Sequence, residues 1–341
     1  MATIYDISRE TGFSIATVSK VINNYKGVNA KTKKIIEDKI AEMGFMPNST
    51  ARTLATKKSW LVAIIFAEEQ GMGIVHPHYS NILQGFKNVI GENGYDIIFL
   101  NTFLGEKKMS FAEHCRFRNV DGVMLAMSSK FTDQAADILN AVDIPKVSVE
   151  SVYPKVPTVI SDNAMGAKQA MEHLYMLGHK KIAHIAAPLD SLAGKERYQA
   201  YRQFFTDNGM EFDPRYCVVA SRYSKDAGVE AVNTLLQQCW DGFPTAIYAA
   251  YDDYACAAKE ILTERGFKIP EEISIVGNDD LPVAGFSTPG ITTVRQNRSE
   301  IGAEAARVLV RLMEEKQKEQ DEIIRVPTNL VVRQTTFRNS R

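Results

Sequence analysis

At 341 residues the chain is longer than one ordinary domain, and its 45% hydrophobic and 24% charged residues are typical of a globular protein. Its net charge of −1 conceals an asymmetry, because residues 1–60 carry ten Lys and Arg against five Asp and Glu, or +5, which leaves −6 for the rest. The apolar runs are too short to span a bilayer, and the four cysteines form no CxxC pair, so membrane-embedded, zinc-bound and disulfide-stapled classes are excluded. With no signal-peptide pattern at the start, we expect a cytoplasmic protein whose basic head, residues 1–60, meets a polyanion.

Residues 3–24 have the pattern of two short helices around a tight turn. Thr3 and Asp6 give a capping-box-like start, Gly12 can end the first helix in the left-handed conformation, and Ser14 can cap the second. The buried side of the second helix would be Val18, Val21 and Ile22. The unit is either an ordinary helical hairpin or a helix-turn-helix, whose second helix enters the major groove of DNA. The outer face of that helix carries side chains that could contact bases and phosphates: Ile15, Ala16, Thr17, Ser19, Lys20 and Asn23.

A third helix is predicted over residues 30–43, and Gly44 closes it. Its apolar stripe would be Ile35, Ile36, Ile40 and Met43. The segment 47–58 has a helix-start signal but no substantial apolar face, so it would be only marginally helical alone. It is either a plain linker or a segment that folds when it meets DNA.

From residue 61 onward, apolar strand-like runs alternate with amphipathic helical stretches. Such alternation predicts parallel sheets covered on both faces, here divided into two doubly wound lobes with a ligand cleft between them. Strands are predicted over 61–66, 96–100, 122–126, 146–149, 158–160, 182–186, 216–220, 246–249 and 273–277. Helices are predicted over stretches such as 79–92, 164–177, 194–208, 227–238 and 253–264.

Catalytic motifs are missing from the sequence. It has no nucleophile elbow, no P-loop and no glycine-rich dinucleotide loop, and residues 71–73 are a lone glycine fragment. His76 and His78 have no obvious third ligand, so we expect them in a pocket wall or on the surface rather than on a metal. Asp280 is expected to cap the next helical turn. We therefore predict that the protein is not an enzyme and does not need a cofactor.

Seven motifs, in order, carry a family resemblance. In the head they are TIYDI from Thr3, GFSIATVSKVIN from Gly12 and PNSTARTLA from Pro47. In the body they are GHKKIAHI from Gly178, GKERYQAY from Gly194, IPEEISIVGNDD from Ile269 and TTVRQ from Thr292. Together they resemble the lactose-repressor (LacI/GalR) family of transcription regulators along the whole chain.

The resemblance implies an all-α helix-turn-helix DNA-binding domain followed by an α/β, two-lobed, periplasmic-binding-protein-like sensor with parallel doubly wound sheets. The implied divisions are a DNA-binding domain at 1–46, a hinge helix or linker at 47–59 and an effector-binding core at 60–341. The first lobe would comprise about 60–160 and 292–323, and the second about 161–291 and 324–341. A homodimer that represses transcription from a near-palindromic double-stranded operator is also implied.

The family's functional positions carry over residue by residue. DNA contacts are implied for Tyr5, Ser14, Ile15, Ala16, Thr17, Ser19, Lys20, Asn23, Asn48, Ala51 and Leu54. Among these, Ile15, Ala16 and Lys20 occupy base-reading positions, and Leu54 would wedge into the minor groove.

Effector contacts are implied for Tyr79, Glu150, Asp162, Arg197, Tyr223, Tyr251 and Asp279. Arg197 and Asp279 would face each other across the cleft, where they form either a structural salt bridge or a site for sugar hydroxyls. Tyr251 stands where many relatives have Asn, Ser or Thr, and it could add a second stacking face. The effector is expected to be a sugar or sugar derivative. The alternatives are a nucleobase-like effector, a free sugar-binding protein, or an enzyme.

Overall fold

The structure is a computed structural model that describes residues 2–23, 25–46, 53, 58–68, 71–128, 131, 133, 135–141, 143–315 and 322–339. Asn48, Ala51 and Leu54 lie outside these residues, so the hinge helix stays a prediction. Within the described ranges, no helix combines the length and the apolar character needed to cross a membrane.

Three helices form the head: α1 (Ile4–Thr11), α2 (Ile15–Ile22) and α3 (Ala30–Glu42). Their small core consists of Ile7, Val18, Val21 and Ile36. The predicted caps are present: Thr3 and Asp6 form a capping box, Gly12 has φ 72°, and the Ser14 hydroxyl accepts the N–H of Thr17 at 3.2 Å. These contacts fix the turn between α1 and α2 and so the orientation of α2.

The predicted apolar stripe of α3 is wrong at one position. Ile36 is fully buried, whereas Ile35 is 42% exposed. Successive helical residues point about 100° apart, so only one of two adjacent isoleucines can enter a core as small as this one.

The body contains fourteen strands in the described part of the chain: β1 (Leu61–Ala67), β2 (Asp96–Phe99), β3 (Phe103–Leu104), β4 (Lys107–Lys108), β5 (Gly122–Met127), β6 (Lys146–Val149), β7 (Thr158–Ser161), β8 (Ile182–Ala186), β9 (Cys217–Val219), β10 (Ala246–Ala249), β11 (Ser274–Asp279), β12 (Thr292–Gln296), β13 (Ile323–Val326) and β14 (Thr328–Val331). Its helices there are α4 (Pro77–Glu92), α5 (Phe111–Arg118), α6 (Ala136–Leu139), α7 (Asn163–Met176), α8 (Leu192–Asp207), α9 (Lys225–Gln238), α10 (Asp252–Glu264), α11 (Pro282–Phe286) and α12 (Arg298–Glu315). All nine predicted strands are present, with ends within two residues of the prediction.

Two six-stranded sheets build the two lobes. The first has the order β13-β7-β6-β5-β1-β2 and is parallel throughout; the second has the order β14-β12-β11-β10-β8-β9, with β14 antiparallel. Each sheet is covered on both faces, which gives two apolar cores per lobe. Buried strands such as β5, in which all six residues are buried, therefore have continuous apolar sequences.

The chain passes between the lobes three times: after β7, after β12 and after β13. The last two crossings differ from the predicted boundaries. β12 pairs with β11 and β14 in the second sheet, and β13 pairs with β7 in the first. The lobes therefore divide near residues 297 and 327, not near 292 and 324.

Candidate functional site

A cleft of about 870 Å³ lies between the lobes, at the carboxyl ends of strands from both sheets. Glu68 and Glu150 follow β1 and β6 of the first lobe. Tyr251 follows β10 of the second lobe, and Asp279 ends β11. The backbone of each sheet thus delivers side chains from separate loops to one place.

Six of the seven predicted effector residues line this cleft: Tyr79, Glu150, Arg197, Tyr223, Tyr251 and Asp279. Asp162 does not. Its carboxylate accepts the N–H of Met165 at 3.0 Å and caps α7, because the first turn of a helix needs an acceptor for its free N–H groups.

Arg197 is buried on the floor of the cleft, and protein groups hold its guanidinium on every side. Its Nε donates to Oδ1 of Asn163 at 3.1 Å, and its Nη1 donates to the carbonyl of Ala250 at 2.7 Å. Its Nη2 lies 3.4 Å from Oδ1 of Asp279. The predicted Arg–Asp pair is therefore a buried ion pair at the cleft surface, and the structural and ligand-binding interpretations both remain compatible with it.

The Asp279 carboxylate is fixed in turn by amides. Oδ1 accepts from Nδ2 of Asn278 at 2.7 Å and from Nε2 of Gln296. The backbone of Asp279 has φ 111°, a conformation that residues with side chains rarely adopt and that turns the carboxylate into the cleft.

The neighbouring Asp280 does not cap a helix as predicted. Its carboxylate accepts from Nε of Arg295 and from Nη2 of Arg333, both at 2.6 Å. Burial raises its pKa, but the bonds and charges of these two arginines outweigh burial, and the pKa is lowered. The N–H of Leu281, before α11, is instead bonded to the buried carboxylate of Asp252 at 2.7 Å.

The Glu150 carboxylate, unlike that of Asp279, has one oxygen with no hydrogen-bond partner among the described residues. Burial raises its pKa to about 7, against a smaller opposing effect of Arg197. Its Oε1 is shielded from solvent and has no hydrogen-bond partner among the described residues. The group nearest to balancing it is the imidazole of His78, whose Nε2 lies 3.8 Å away and whose pKa burial holds well below the ordinary value.

Aromatic rings stand on both walls of the cleft. In the first lobe, the Tyr79 ring packs edge-on against Phe66 at 5.3 Å and against His78 at 5.2 Å. In the second lobe, Tyr223 meets Tyr251 at 5.6 Å with their planes at 87°. Tyr223 is oriented by its hydroxyl, which is 2.8 Å from Oγ of Ser191. The cleft therefore offers apolar ring faces on both sides of a charged floor.

The outer face of α2 is accessible. Ile15, Ala16 and Lys20 are exposed, and Thr17, Ser19 and Asn23 are half-buried. Tyr5, on α1, is 68% exposed. Ser14 is exposed, although its hydroxyl is occupied in capping α2. The three residues predicted to read bases are therefore the ones on α2 that present the most surface.

Comparison with known proteins places this architecture in a family. The family model of bacterial regulatory proteins, lacI family, matches residues 3–48, and that of the periplasmic binding protein-like domain matches residues 171–336. The transcriptional regulator DegA of Bacillus subtilis is 31% identical over 98% of both chains. The chain belongs to the LacI family of bacterial regulatory proteins.

Solved structures of this family share the whole architecture. A complex of the transcriptional regulator CelR with cellobiose is 29% identical, with a TM-score of 0.68 over 98% of this chain and all of that one. The lac repressor dimer bound to operator and the anti-inducer ONPF is 25% identical, with a TM-score of 0.76 over 98% and 99%. The predicted fold is confirmed, and so is the prediction of a transcriptional regulator rather than an enzyme, because the homologues are regulators.

Several residues of this LacI-family cleft are not predicted from the sequence. His76 and His78 are not among these, because a pocket wall is one of the two places expected for them and both line the cleft. Ser191 and Gln296 also line it, and Asn163 supports Arg197 from behind. Ser191 precedes α8, Gln296 ends β12 and Asn163 begins α7. A single polar residue at the end of an element leaves no periodic signal, so the pattern does not single these residues out.

A charge-assisted link joins the two lobes behind the floor. The guanidinium of Arg325, on β13 of the first lobe, donates to both carboxylate oxygens of Glu196, on α8 of the second, at 3.0 and 2.6 Å. Glu196 also accepts from Nδ2 of Asn163 at 3.2 Å, and Asn163 in turn accepts from Arg197. The floor is thus connected by hydrogen bonds to the other lobe. Across the described ranges, no group of three or more His, Cys, Asp or Glu is arranged to hold a metal ion.

Proposed function

We propose that this regulator is a repressor whose affinity for operator DNA is switched by a sugar or sugar derivative bound between the lobes. The observation that carries the proposal is the buried pair of Arg197 and Asp279 on the floor of an aromatic-walled cleft. A guanidinium donates several hydrogen bonds in a fixed fork, and a carboxylate accepts from two hydroxyls, so the pair suits a polyhydroxylated ring. The similarity to CelR, solved with cellobiose, supports a carbohydrate.

A planar ring such as a nucleobase is the second candidate for the effector. The observation that favours it is the presence of Tyr79 on one wall and of Tyr223 with Tyr251 on the other, because flat aromatic faces also stack on bases. A free sugar-binding protein or an enzyme is not favoured, since neither uses a helix-turn-helix head.

On the DNA side, we propose a homodimer that places two copies of α2 in successive major grooves of a near-palindromic operator. The exposed Ile15, Ala16 and Lys20 would contact bases, and the similarity to the lac repressor dimer on its operator supports the arrangement. Regulation of bacterial transcription would place the protein in the cytoplasm.

The hinge proposal gives Leu54 a wedge role, so Leu54→Ala should weaken operator binding much more than binding to random DNA. Equal losses in a gel shift with both DNAs would remove the wedge.

The switch is tested by measuring both ligand and operator binding. A panel of mono- and disaccharides is screened by calorimetry, and operator affinity is then measured with and without each sugar that binds. Ligand and operator affinities should be coupled reciprocally, by about 1–3 kcal/mol.

Asp279→Ala should abolish ligand binding. If the effector releases the protein from DNA, the variant keeps operator binding and loses the response; if the effector holds the protein on DNA, the variant binds operator weakly. Unchanged ligand affinity in this variant would remove Asp279 from the site. A bound ligand with no effect on operator affinity would contradict the switch.

A further inference from the structure

Glu150 carries two unfavourable features at one position. Its Oε1 is inaccessible to solvent and has no hydrogen-bond partner within the described part of the chain. Its backbone has φ 63°, in the left-handed region that residues with side chains seldom occupy. Unpaired buried polar atoms and backbone strain concentrate where a protein meets a ligand, because the ligand supplies the missing partner.

The charges of the cleft leave one carboxylate unmatched. Besides Arg197, Asp279 and Glu150, its lining holds two cations and two carboxylates: Lys195 and Arg222, and Asp190 and Glu68. On its floor, Arg197 is matched by Asp279, with 3.4 Å between Nη2 and Oδ1.

No Lys or Arg among the described residues forms such an ion pair with Glu150; Arg197 acts on it only as the smaller opposing effect on its pKa. The nearest basic group is the imidazole of His78, 3.8 Å from Oε1, whose pKa burial lowers. Among the charged side chains that line the cleft, an ionised Glu150 leaves four carboxylates against three Lys or Arg, one excess negative charge. Arg298 lies outside this lining, where it donates to the carbonyl of Asp280 at 3.1 Å.

Aromatic rings line the same cleft as Glu150 on both lobes. Tyr79 lies 5.2 Å from His78 and 5.5 Å from His76, measured between ring centroids, and Tyr223 with Tyr251 stands on the other lobe. The faces of aromatic rings carry partial negative charge and attract cations. A buried carboxylate with a free oxygen, set between aromatic walls, is a combination that recognises an ammonium group.

We propose that the effector carries a protonated amino group that donates to Oε1 of Glu150, which makes it an amino sugar or a polyhydroxylated amine of similar size. An ammonium offers three N–H donors and the missing positive charge, whereas a sugar hydroxyl offers one donor and no charge. The hydroxyls of the same molecule would reach Arg197 and Asp279. The inference rests on the proposed function, because it assigns the chemistry of the same cleft.

The test compares sugars that differ only at the amino position. The full chain is titrated by calorimetry with D-glucose, D-glucosamine and N-acetyl-D-glucosamine, and with the corresponding galactose and mannose sets. In at least one set, the free amine should bind about tenfold or more tightly than both neutral members, the gain expected of a charge-assisted over a neutral hydrogen bond. Glu150→Gln should reduce this preference to within about twofold, because glutamine keeps the shape and removes the charge.

Asp162→Asn is the matched control. It removes a carboxylate that lies outside the cleft lining, and asparagine caps helices as well as aspartate does, so the amine preference should persist. A neutral sugar that binds as tightly as its amine, an amine preference that survives Glu150→Gln, or the failure of every amine to bind at millimolar concentration would overturn the inference.

These outcomes are distinct from failure of the proposed function. A neutral sugar that binds and changes operator affinity would leave the regulator proposal standing and remove the amine. An amine that binds through Glu150 without changing operator affinity would do the reverse.

Discussion

The two lobes hold their cleft side chains in different ways. In the second lobe, Arg197 is bonded to Asn163, to the Ala250 carbonyl and to Asp279, and the Tyr223 hydroxyl is bonded to Ser191. In the first lobe, Oε1 of Glu150 is buried and has no hydrogen-bond partner among the residues that the structure describes, and burial lowers the pKa of His78. The second-lobe side chains thus have hydrogen-bond partners within the protein, whereas Oε1 of Glu150 in the first lobe has none among the described residues.

The difference indicates an order of binding. A preorganised wall loses little conformational freedom when a ligand arrives, so the second lobe is suited to capture it. Under the proposed switch, the Glu150 carboxylate of the first lobe would gain a partner when the lobes close on the ligand. Closure would then be favoured mainly by the first lobe, whose sheet carries the chain that follows the head.

The largest test of this comparison is Arg197→Met. The substitution leaves Asp279 buried without its cation and leaves Asn163 without its donor. The free energy of unfolding, measured by urea denaturation, should fall by about 3–5 kcal/mol, the usual cost of breaking a buried ion pair. Arg222→Met is the control, because the Arg222 side chain is 52% exposed at the edge of the cleft and its loss should change stability by less than about 0.5 kcal/mol. Equal effects of the two substitutions would contradict a preorganised second-lobe wall.

Glu150→Gln should increase the free energy of unfolding, whereas Arg197→Met decreases it. The pKa of Glu150 is raised from 4.5 to about 7, so between these values the folded protein keeps a proton that the unfolded chain has lost. Stability from this group is present below the unfolded pKa and is lost as pH rises through 7. Glutamine does not titrate. The free energy of unfolding of the variant, relative to that of the wild type, should therefore rise by roughly 3 kcal/mol between about pH 4 and about pH 8. Histidines remote from Glu150 are common to both proteins, and their titration cancels in the difference. His78, 3.8 Å from Oε1, does not cancel, so the difference reports Glu150 together with this neighbour. A difference that stays flat with pH would show that the first lobe already compensates this carboxylate.

Tyr223→Phe is the smallest of the three changes. It removes the hydroxyl that lies 2.8 Å from Oγ of Ser191 and keeps the ring against Tyr251. Stability to thermal unfolding should fall by about 1 kcal/mol, the net contribution of one neutral hydrogen bond. No measurable loss would mean that this ring is held by packing alone, and the second wall would then be less preorganised than its hydrogen bonds indicate.

The sequence predicts the buried strands of the fold well, but it does not predict β13, β14 or the hairpin of β3 and β4. Strands such as β5 and β10 are buried along their whole length, so each is a continuous apolar run. β13 and β14 lie at the edges of their sheets, and their partly exposed residues leave no such run. The hairpin of β3 and β4 has only two residues in each strand. Neither these two edge strands nor the hairpin is predicted, whereas the opposite edge strands β2 and β9 are. A periodic or continuous apolar pattern needs length and burial to be visible, and β13, β14 and the hairpin lack one or both.

The site residues are predicted from the family motifs. Such motifs do not predict contacts between residues that are far apart in the sequence. Arg197 and Asp279 lie within motifs and reach the cleft floor. The hydroxyl of Ser161 donates to Oε1 of Gln296 at 2.8 Å, although 135 residues separate them, and no local pattern anticipates such a contact. Asp162 shows the converse error: a carboxylate next to the crossover is used by the helix that begins beside it.

The position of β13 and β14 also bears on synthesis of the protein. The head contains its whole core within its three helices, so it can fold soon after it leaves the ribosome. Neither lobe, by contrast, can complete its sheet until residues 323–331 have been synthesised. β13 completes the first sheet against β7, and β14 completes the second against β12. A chain interrupted before residue 323 would expose the backbone edges of β7 and β12 together. Premature termination is therefore expected to yield an aggregation-prone fragment with a finished DNA-binding head, not a regulator with one working lobe.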